Sequence, residues 1–429
     1  AQALADVAAW AGRLHRRVSA NGCLPDPTEL HRDVAGAIAA HLGVDDGLHR
    51  VVLCASGTDA ECVVGGIVLA GTDRPVRNIV LGSMEAGSGT RSAAAGRYFG
   101  AATPFRVPVT AGEPIEGFDA DRVRLVDVEL RDARGRARRP FDVEAEVEAH
   151  IEDAIDCGET VLVHVMAGSK TDLRYLSADW VRVWRSRGGA QFRCVVDAAQ
   201  WRMSGAELRE YLAAGAAIIV TGSKAIGAPP FCGALILDDA LLTDAHTAMG
   251  RGRSLPSGLR DFMARADLPS ELQALLPNAE PANLGLLARW HVAVEEIHRF
   301  AAVPDLWREA FVHALRGLVV RGLQTVPEMV VADTGSPTIV SFGLRAGDGG
   351  LAAKLVLRDF YDAVLSTPGV HIGQPVELPS GGAFVRYAIG HVTVTRAANS
   401  SESAAGAAAA AAEAAVSALR TARAGFVLT

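Results

Sequence analysis

Two short segments of this sequence carry residues whose types and spacing could do chemistry together. Val195-Val-Asp-Ala-Ala-Gln200 places a carboxylate, Asp197, after an apolar β-branched run, and Val220-Thr-Gly-Ser-Lys224 places an amine, Lys224, after another. An amine of this kind can form a Schiff base with an aldehyde. A carboxylate of this kind can keep a pyridine-type nitrogen protonated, so that the ring accepts electrons from a carbanion. Each residue alone also fits an ordinary strand-end turn, with Asp197 capping it and Lys224 at the surface. The runs before them, Phe192-Arg-Cys-Val-Val196 and Ala216-Ala-Ile-Ile-Val220, read as buried parallel strands of an α/β sheet. Ligands in such sheets sit at the carboxyl ends of the strands, where both residues fall. After Lys224, Gly227-Ala-Pro-Pro-Phe-Cys-Gly233 reads as a rigid turn leading into a further apolar strand, Ala234-Leu-Ile-Leu237.

The pair is the one a pyridoxal 5'-phosphate (PLP) enzyme needs, and the segments resemble fold-type I PLP-dependent enzymes, more narrowly the class V aminotransferase and cysteine desulfurase branch. Asp-Ala-Ala-Gln is similar to the branch segment whose Asp pairs with the pyridine nitrogen and whose Gln contacts the ring hydroxyl. The resemblance implies those roles for Asp197 and Gln200. Thr221-Gly-Ser-Lys resembles the branch's lysine segment, which implies that Lys224 is the Schiff-base lysine, that Ser223 contacts phosphate and that Thr221 belongs to the cofactor site.

Val51-Val-Leu-Cys-Ala-Ser-Gly-Thr-Asp-Ala-Glu61 reads as a strand, a turn of small residues and the start of a helix. A helix N-terminus offers unpaired N–H groups and a positive dipole end to an anion, so Ser56, Gly57 and Thr58 form a candidate phosphate cradle. An N-cap with Asp59 and Glu61 in the first turn satisfies the same residues. The segment is similar to the family's Ser-Gly-Ala-Thr-Glu loop, which favours binding. Gly382-Ala-Phe-Val-Arg386-Tyr-Ala-Ile-Gly390 is an apolar strand interrupted by one arginine, whose planar fork suits a carboxylate. It resembles the family strand whose arginine holds the substrate α-carboxylate; a structural ion pair is the alternative for Arg386.

Other segments depart from the family. Ile79 to Arg91 contains no histidine where a ring-stacking one is common, so the Gly-rich Glu85 to Arg91 loop breaks the norm. In Val161-Leu-Val-His-Val-Met-Ala-Gly168, Met166, Ala167 and Gly168 stand where desulfurases carry asparagines facing the substrate. A desulfurase also needs a mobile acceptor cysteine well beyond the lysine. The six cysteines are Cys23, Cys54, Cys62, Cys157, Cys194 and Cys232, none in the C-terminal region, so persulfide chemistry would fall to Cys232 alone. No C-x-x-C pair occurs, which points away from disulfides and metal sites and fits a reducing cytoplasm.

The chain has 429 residues, 49% hydrophobic, with a net charge of −7. It shows no apolar run long enough for a bilayer, no secretory signal around Asp6 to Arg17, no basic patch for nucleic acid and no fixed-period repeat. The expected architecture is a fold-type I α/β protein in which a large domain with a mostly parallel, seven-stranded-type sheet is joined to a smaller C-terminal α+β domain. Its expected parts are an N-terminal helical arm (1–45), the large PLP-binding domain (46–280), and a linker helix with the small domain (281–429). The linker helix carries Leu286, Leu287, Trp290, Val294, Ile297 and Phe300 at helical spacing. The small domain holds Thr338-Ile-Val-Ser-Phe342 and Phe384-Val-Arg-Tyr-Ala-Ile389 as strands, and Ser400 to Arg423 as a terminal helix.

The expected function is a cytoplasmic, homodimeric PLP enzyme acting on a small-molecule amino acid with no metal, nucleic-acid or membrane partner, aminotransferase first. β- or γ-elimination or substitution, carbon–sulfur cleavage included, is the alternative. A non-catalytic sensor or scaffold on the same fold is the reading from another class.

Overall fold

The computed structural model describes residues 2–21, 25–44, 50–119, 121–332, 335–347, 349–367, 370–400 and 402–424. Cys23 and the expected 45/46 boundary lie outside the described residues. The chain divides into two compact units, one of residues 1–130, 139–168 and 174–295, the other of 131–138, 169–173 and 296–429.

The larger unit begins with α1 (Gln2–Asn21) and α2 (Pro27–Leu42). The Asp26 carboxylate accepts from the Thr28 N–H at the start of α2, Pro27 opens the helix, and Gly43 ends it in the left-handed region at φ 67°. There follow β1 (Val51–Cys54), α3 (Gly57–Gly71), β2 (Val76–Leu81), α4 (Thr90–Ala94), β3 (Val123–Val128) and α5 (Pro140–Asp156). Next come β4 (Thr160–Met166), α6 (Ala178–Gly188), β5 (Phe192–Asp197), α7 (Gly205–Ala214), β6 (Ala217–Thr221), β7 (Gly233–Ile236) and α8 (Asp239–Gly250). Helix α9 (Leu284–Ala301) is the expected linker helix, and the division between the units falls inside it.

Seven strands make one sheet in the order β1-β7-β6-β5-β4-β2-β3. β2–β3, β2–β4, β4–β5 and β5–β6 are parallel, whereas β7 runs antiparallel to both neighbours. Strands β1, β2, β4, β6 and β7 are buried along their whole length, as a sheet covered on both faces requires. β1, β6 and β7 are correspondingly almost wholly apolar, while β2 buries Arg77 and Asn78 and β4 buries His164 among their Val, Ile and Leu residues. Helix α3 covers one face, joining Val64, Ile67 and Val68 to Val52, Leu162, Val195, Ile219 and Leu235 in a single core. Helix α8 crosses α3 at Gly71, where a Cβ would lie 2.6 Å from that of Asp244. Asp244 in turn takes both arms of the Arg193 fork at 2.6 Å, so the close crossing leaves neither charge unpaired. Helix α5 buries Val143, Val147, Ile151 and Ala154 at three- and four-residue spacing, one face of a helix.

The smaller unit contains α10 (Asp305–Gln324), β8 (Met329–Ala332), β9 (Ile339–Leu344), α11 (Lys354–Leu365), β10 (Ile372–Glu377), β11 (Ala383–Ala388), α12 (His391–Ala398) and α13 (Ala404–Ala424). Its antiparallel sheet runs β10-β11-β9-β8. β9 and β11 are the two strands read from the sequence; β8 and β10 add its edges. The alanine-rich tail forms α13, whose Ala408, Ala412, Ala415 and Leu419 enter the core with Phe311 and Leu315 of α10.

Candidate active site at the carboxyl edge of the large sheet

Register decides which residues meet. Gly233 of β7 stands opposite Cys54 of β1 on one side and Thr221 of β6 on the other, so β1 and β6 end at the same level. Asp197 at the end of β5 stands opposite Ile219, and Met166 at the end of β4 opposite Asp197. The segments after β1, β4, β5 and β6 therefore leave one edge of the sheet. Side chains two apart on a strand share a face. Val52, Leu162, Val195 and Ile219 lie in the core under α3, so Cys54, His164, Asp197 and Thr221 project on that same side.

The turn after β1 packs directly on the turns after β5 and β6. A Cβ at Gly57 would lie 3.1 Å from Cβ of Ala199 and 3.4 Å from Cγ2 of Thr221. Thr221 Oγ1 donates to the Ala199 carbonyl at 2.8 Å, closing the other side of this contact. Gly57 lets the N-terminus of α3 sit this deep. Ser56 caps the helix: its hydroxyl accepts from the Asp59 N–H at 3.1 Å and donates to Asp59 Oδ2 at 2.5 Å. The N-cap and cradle readings are thus not exclusive, because the cap consumes the Ser56 hydroxyl while the first N–H groups of α3 have no preceding helical turn to bond. Burial lifts the Asp59 carboxyl to about 6, against the pull of the Ser56 hydroxyl.

Asp197 is half-buried, and its Oδ1 accepts from the Ala199 N–H at 3.0 Å, fixing the turn that presents Gln200. Trp201 closes that turn with φ 47°, a strained conformation for a non-glycine residue, and its N–H bonds the Ala198 carbonyl at 2.7 Å. The lysine turn is as tightly made. Gly222 N–H donates to the Cys232 carbonyl at 2.8 Å, Ala228 N–H to the Gly222 carbonyl at 2.9 Å, and Gly227, at φ 82°, to the Lys224 carbonyl at 3.1 Å. Ala293 of α9 backs it, since a Cβ at Gly222 would lie 2.8 Å from the Ala293 Cβ. Lys224 is exposed on this turn, and the Ser223 hydroxyl lies 3.5 Å from Thr221 Oγ1.

Cys232 lies beneath the same turn, 1% exposed, its Sγ donating to the Pro229 carbonyl. Burial pushes its thiol up to about 12. A protonated, enclosed thiol is no sulfur acceptor.

One contact escaped the reading of the sequence. Glu61, weighed there as a first-turn residue of α3, is 2% exposed, and its Oε2 lies 2.6 Å from Nδ1 of His164 on β4. The two atoms are poorly aligned for a hydrogen bond, so the contact is a close buried carboxyl–imidazole pair more than a directed bond. Burial raises the Glu61 carboxyl above its usual range, His164 opposes the rise and the charge of Asp197 adds to it. A lone histidine in an all-apolar strand was the only local signal. The Glu85 to Arg91 loop, singled out in the sequence as Gly-rich and charged, comes close to the turn after β1. Gly87 touches the cradle, since a Cβ there would lie 3.0 Å from both Thr58 Oγ1 and Thr90 Oγ1, and Glu85 is buried.

Arg386 belongs to the smaller unit, on β11. Its Nη1 donates to the Lys170 carbonyl at 3.3 Å and its Nη2 to the Gln374 carbonyl at 3.1 Å. Among the described residues no group of three or more His, Cys, Asp or Glu is placed to hold a metal ion, and no helix is long and apolar enough to cross a membrane.

The fold is that of the fold-type I PLP-dependent transferases. Solved structures similar to this chain include a cysteine desulfurase, CsdA, from Escherichia coli, with TM-score 0.54 and 13% identity over 94% of this chain and 85% of that one. An alanine–glyoxylate aminotransferase from Nostoc sp. gives 0.57 and 11% over 92% and 87%. A structure described as Oryza sativa TDC with PLP and tryptamine gives 0.53 and 13% over 94% and 76%. No family model and no curated protein sequence matches the chain.

Proposed function

We propose that this protein is a PLP-dependent enzyme acting on an amino acid, and that its reaction is transamination. The observation that supports this most is the packing of Gly57 against Ala199 and Thr221, which gathers an anion-ready helix N-terminus, a carboxylate and a lysine at one sheet edge. The residues present fit the cofactor. The start of α3 suits its phosphate, with Ser56, Gly57, Thr58 and Ser223 as contacts. Asp197 suits a protonated ring nitrogen, Gln200 and Thr221 line the turns on either side, and Lys224 suits the aldehyde.

When bound, PLP supplies an electron sink for a carbanion at the substrate α-carbon. Lys224 would hold the cofactor covalently and, once released, carry a proton to and from that carbon through its Nζ. Asp197, fixed by the Ala199 N–H, would keep the proton on the ring nitrogen. Arg386 would bind the α-carboxylate by its planar fork. The enclosed Cys232 thiol argues against a desulfurase, since an acceptor must reach the substrate as a thiolate.

The test is a panel of amino acids incubated with the cofactor-loaded protein, with and without a 2-oxo acid, followed by mass analysis. Amino-group transfer only in the presence of the 2-oxo acid is the expected result. Ammonia and a 2-oxo product without an acceptor would replace transamination by elimination.

A further inference from the structure

The arginine proposed to take the substrate carboxylate is aimed by a glycine. On β11, Arg386 stands directly opposite Gly373 of β10, and side chains opposed across an antiparallel pair stand on the same face in contact distance. A Cβ at position 373 would lie 2.5 Å from Nη2, 2.7 Å from Nε and 2.9 Å from Cζ of Arg386. The guanidinium thus lies folded across the strand in the place a side chain would occupy. It is held there by carbonyls: Gln374 on Nη2, inside the register shift between Gly373 and Val376, and Lys170 on Nη1.

We infer that Gly373 is a positioning residue for Arg386, its missing side chain setting where the guanidinium lies when it meets a carboxylate. This rests on the carboxylate-binding reading of Arg386. The atoms that an alanine would meet all belong to the far end of a flexible side chain, and none to backbone. Gly373 lies in a strand, outside the positive-φ residues, so alanine suits its conformation. Substitution should therefore move the arginine and leave the fold alone.

The test compares Gly373→Ala, Arg386→Ala and the double variant as cofactor-loaded proteins, using two carbonyl-reactive probes that differ in a carboxylate: aminooxyacetate and O-methylhydroxylamine. Each single substitution should slow aminooxyacetate about tenfold, the equivalent of one charge-assisted hydrogen bond. Each should leave O-methylhydroxylamine unchanged, and the double variant should be no slower than Arg386→Ala. In the unloaded protein, phenylglyoxal should modify Arg386 faster in Gly373→Ala, because the carbonyl contacts are lost, with the melting temperature unaltered. Parent-like aminooxyacetate rates in Gly373→Ala, beside slow ones in Arg386→Ala, would overturn the role of Gly373 alone. Parent-like rates in Arg386→Ala would remove the carboxylate anchor and this inference with it, and equal slowing of both probes in Gly373→Ala would make the glycine a fold residue instead.

Discussion

At the scale of single residues, the placement of Asp197 and Lys224 at the sheet edge was legible, because each follows its own strand within a few positions. Lys224→Ala should abolish cofactor fixation by borohydride, read as loss of label on the lysine peptide; a labelled variant would move the role to another lysine. Asp197→Asn should retain the cofactor, since an amide can still accept from the Ala199 N–H. It cannot hold the ring proton, so turnover should fall by several kcal/mol in barrier, roughly 10²- to 10⁴-fold, in steady-state kinetics. Glu61 and Gly373 were not legible, because the partners that give them meaning, His164 and Arg386, stand on other elements and only packing reveals them.

At the scale of elements, buried strands announce themselves and edges do not. β8, Met329–Ala332, is apolar but only four residues long, and β10 contains Gly373 and Pro375, so neither shows the longer apolar run that marked β5 and β6. The short 3₁₀ segment Arg265–Asp267 is equally silent in sequence, yet it buries a carboxylate completely: Asp267 Oδ2 accepts from the Ala264 N–H at 2.7 Å while Oδ1 finds no bond among the described residues. Burial lifts this group to about 7. A folded carboxyl raised above its unfolded value favours the native state below the unfolded value, and that advantage is lost as pH rises through the folded one. Stability should therefore decline between about pH 4 and pH 7, by roughly 4 kcal/mol for this group at about 1.4 kcal/mol per pH unit. Asp267→Asn should flatten that limb of the profile in denaturant melts across the range; a parent-like slope would assign the decline to other groups, Asp59 and Asp238 among them.

At the scale of the whole molecule, α1 is a twenty-residue helix with Leu4 exposed, surface that a second copy of the chain could cover. We expect a homodimer in sedimentation equilibrium, and an active monomer at working concentration would refute it. The order of strands also has a kinetic side. β5 and β6 pair across one intervening helix, Asp197 meeting Ile219, whereas β1 has no partner until β7 is made, Val51 meeting Ile236. Closing the longer loop costs more chain entropy and tends to come later in folding. The carboxylate and the lysine should thus be fixed to one another before α3, the proposed phosphate-binding helix, has docked. In pulse-labelled refolding, amides of β5 and β6 should gain protection from exchange ahead of those of β1, leaving a chain that holds Asp197 and Lys224 together while the proposed phosphate seat is still unmade.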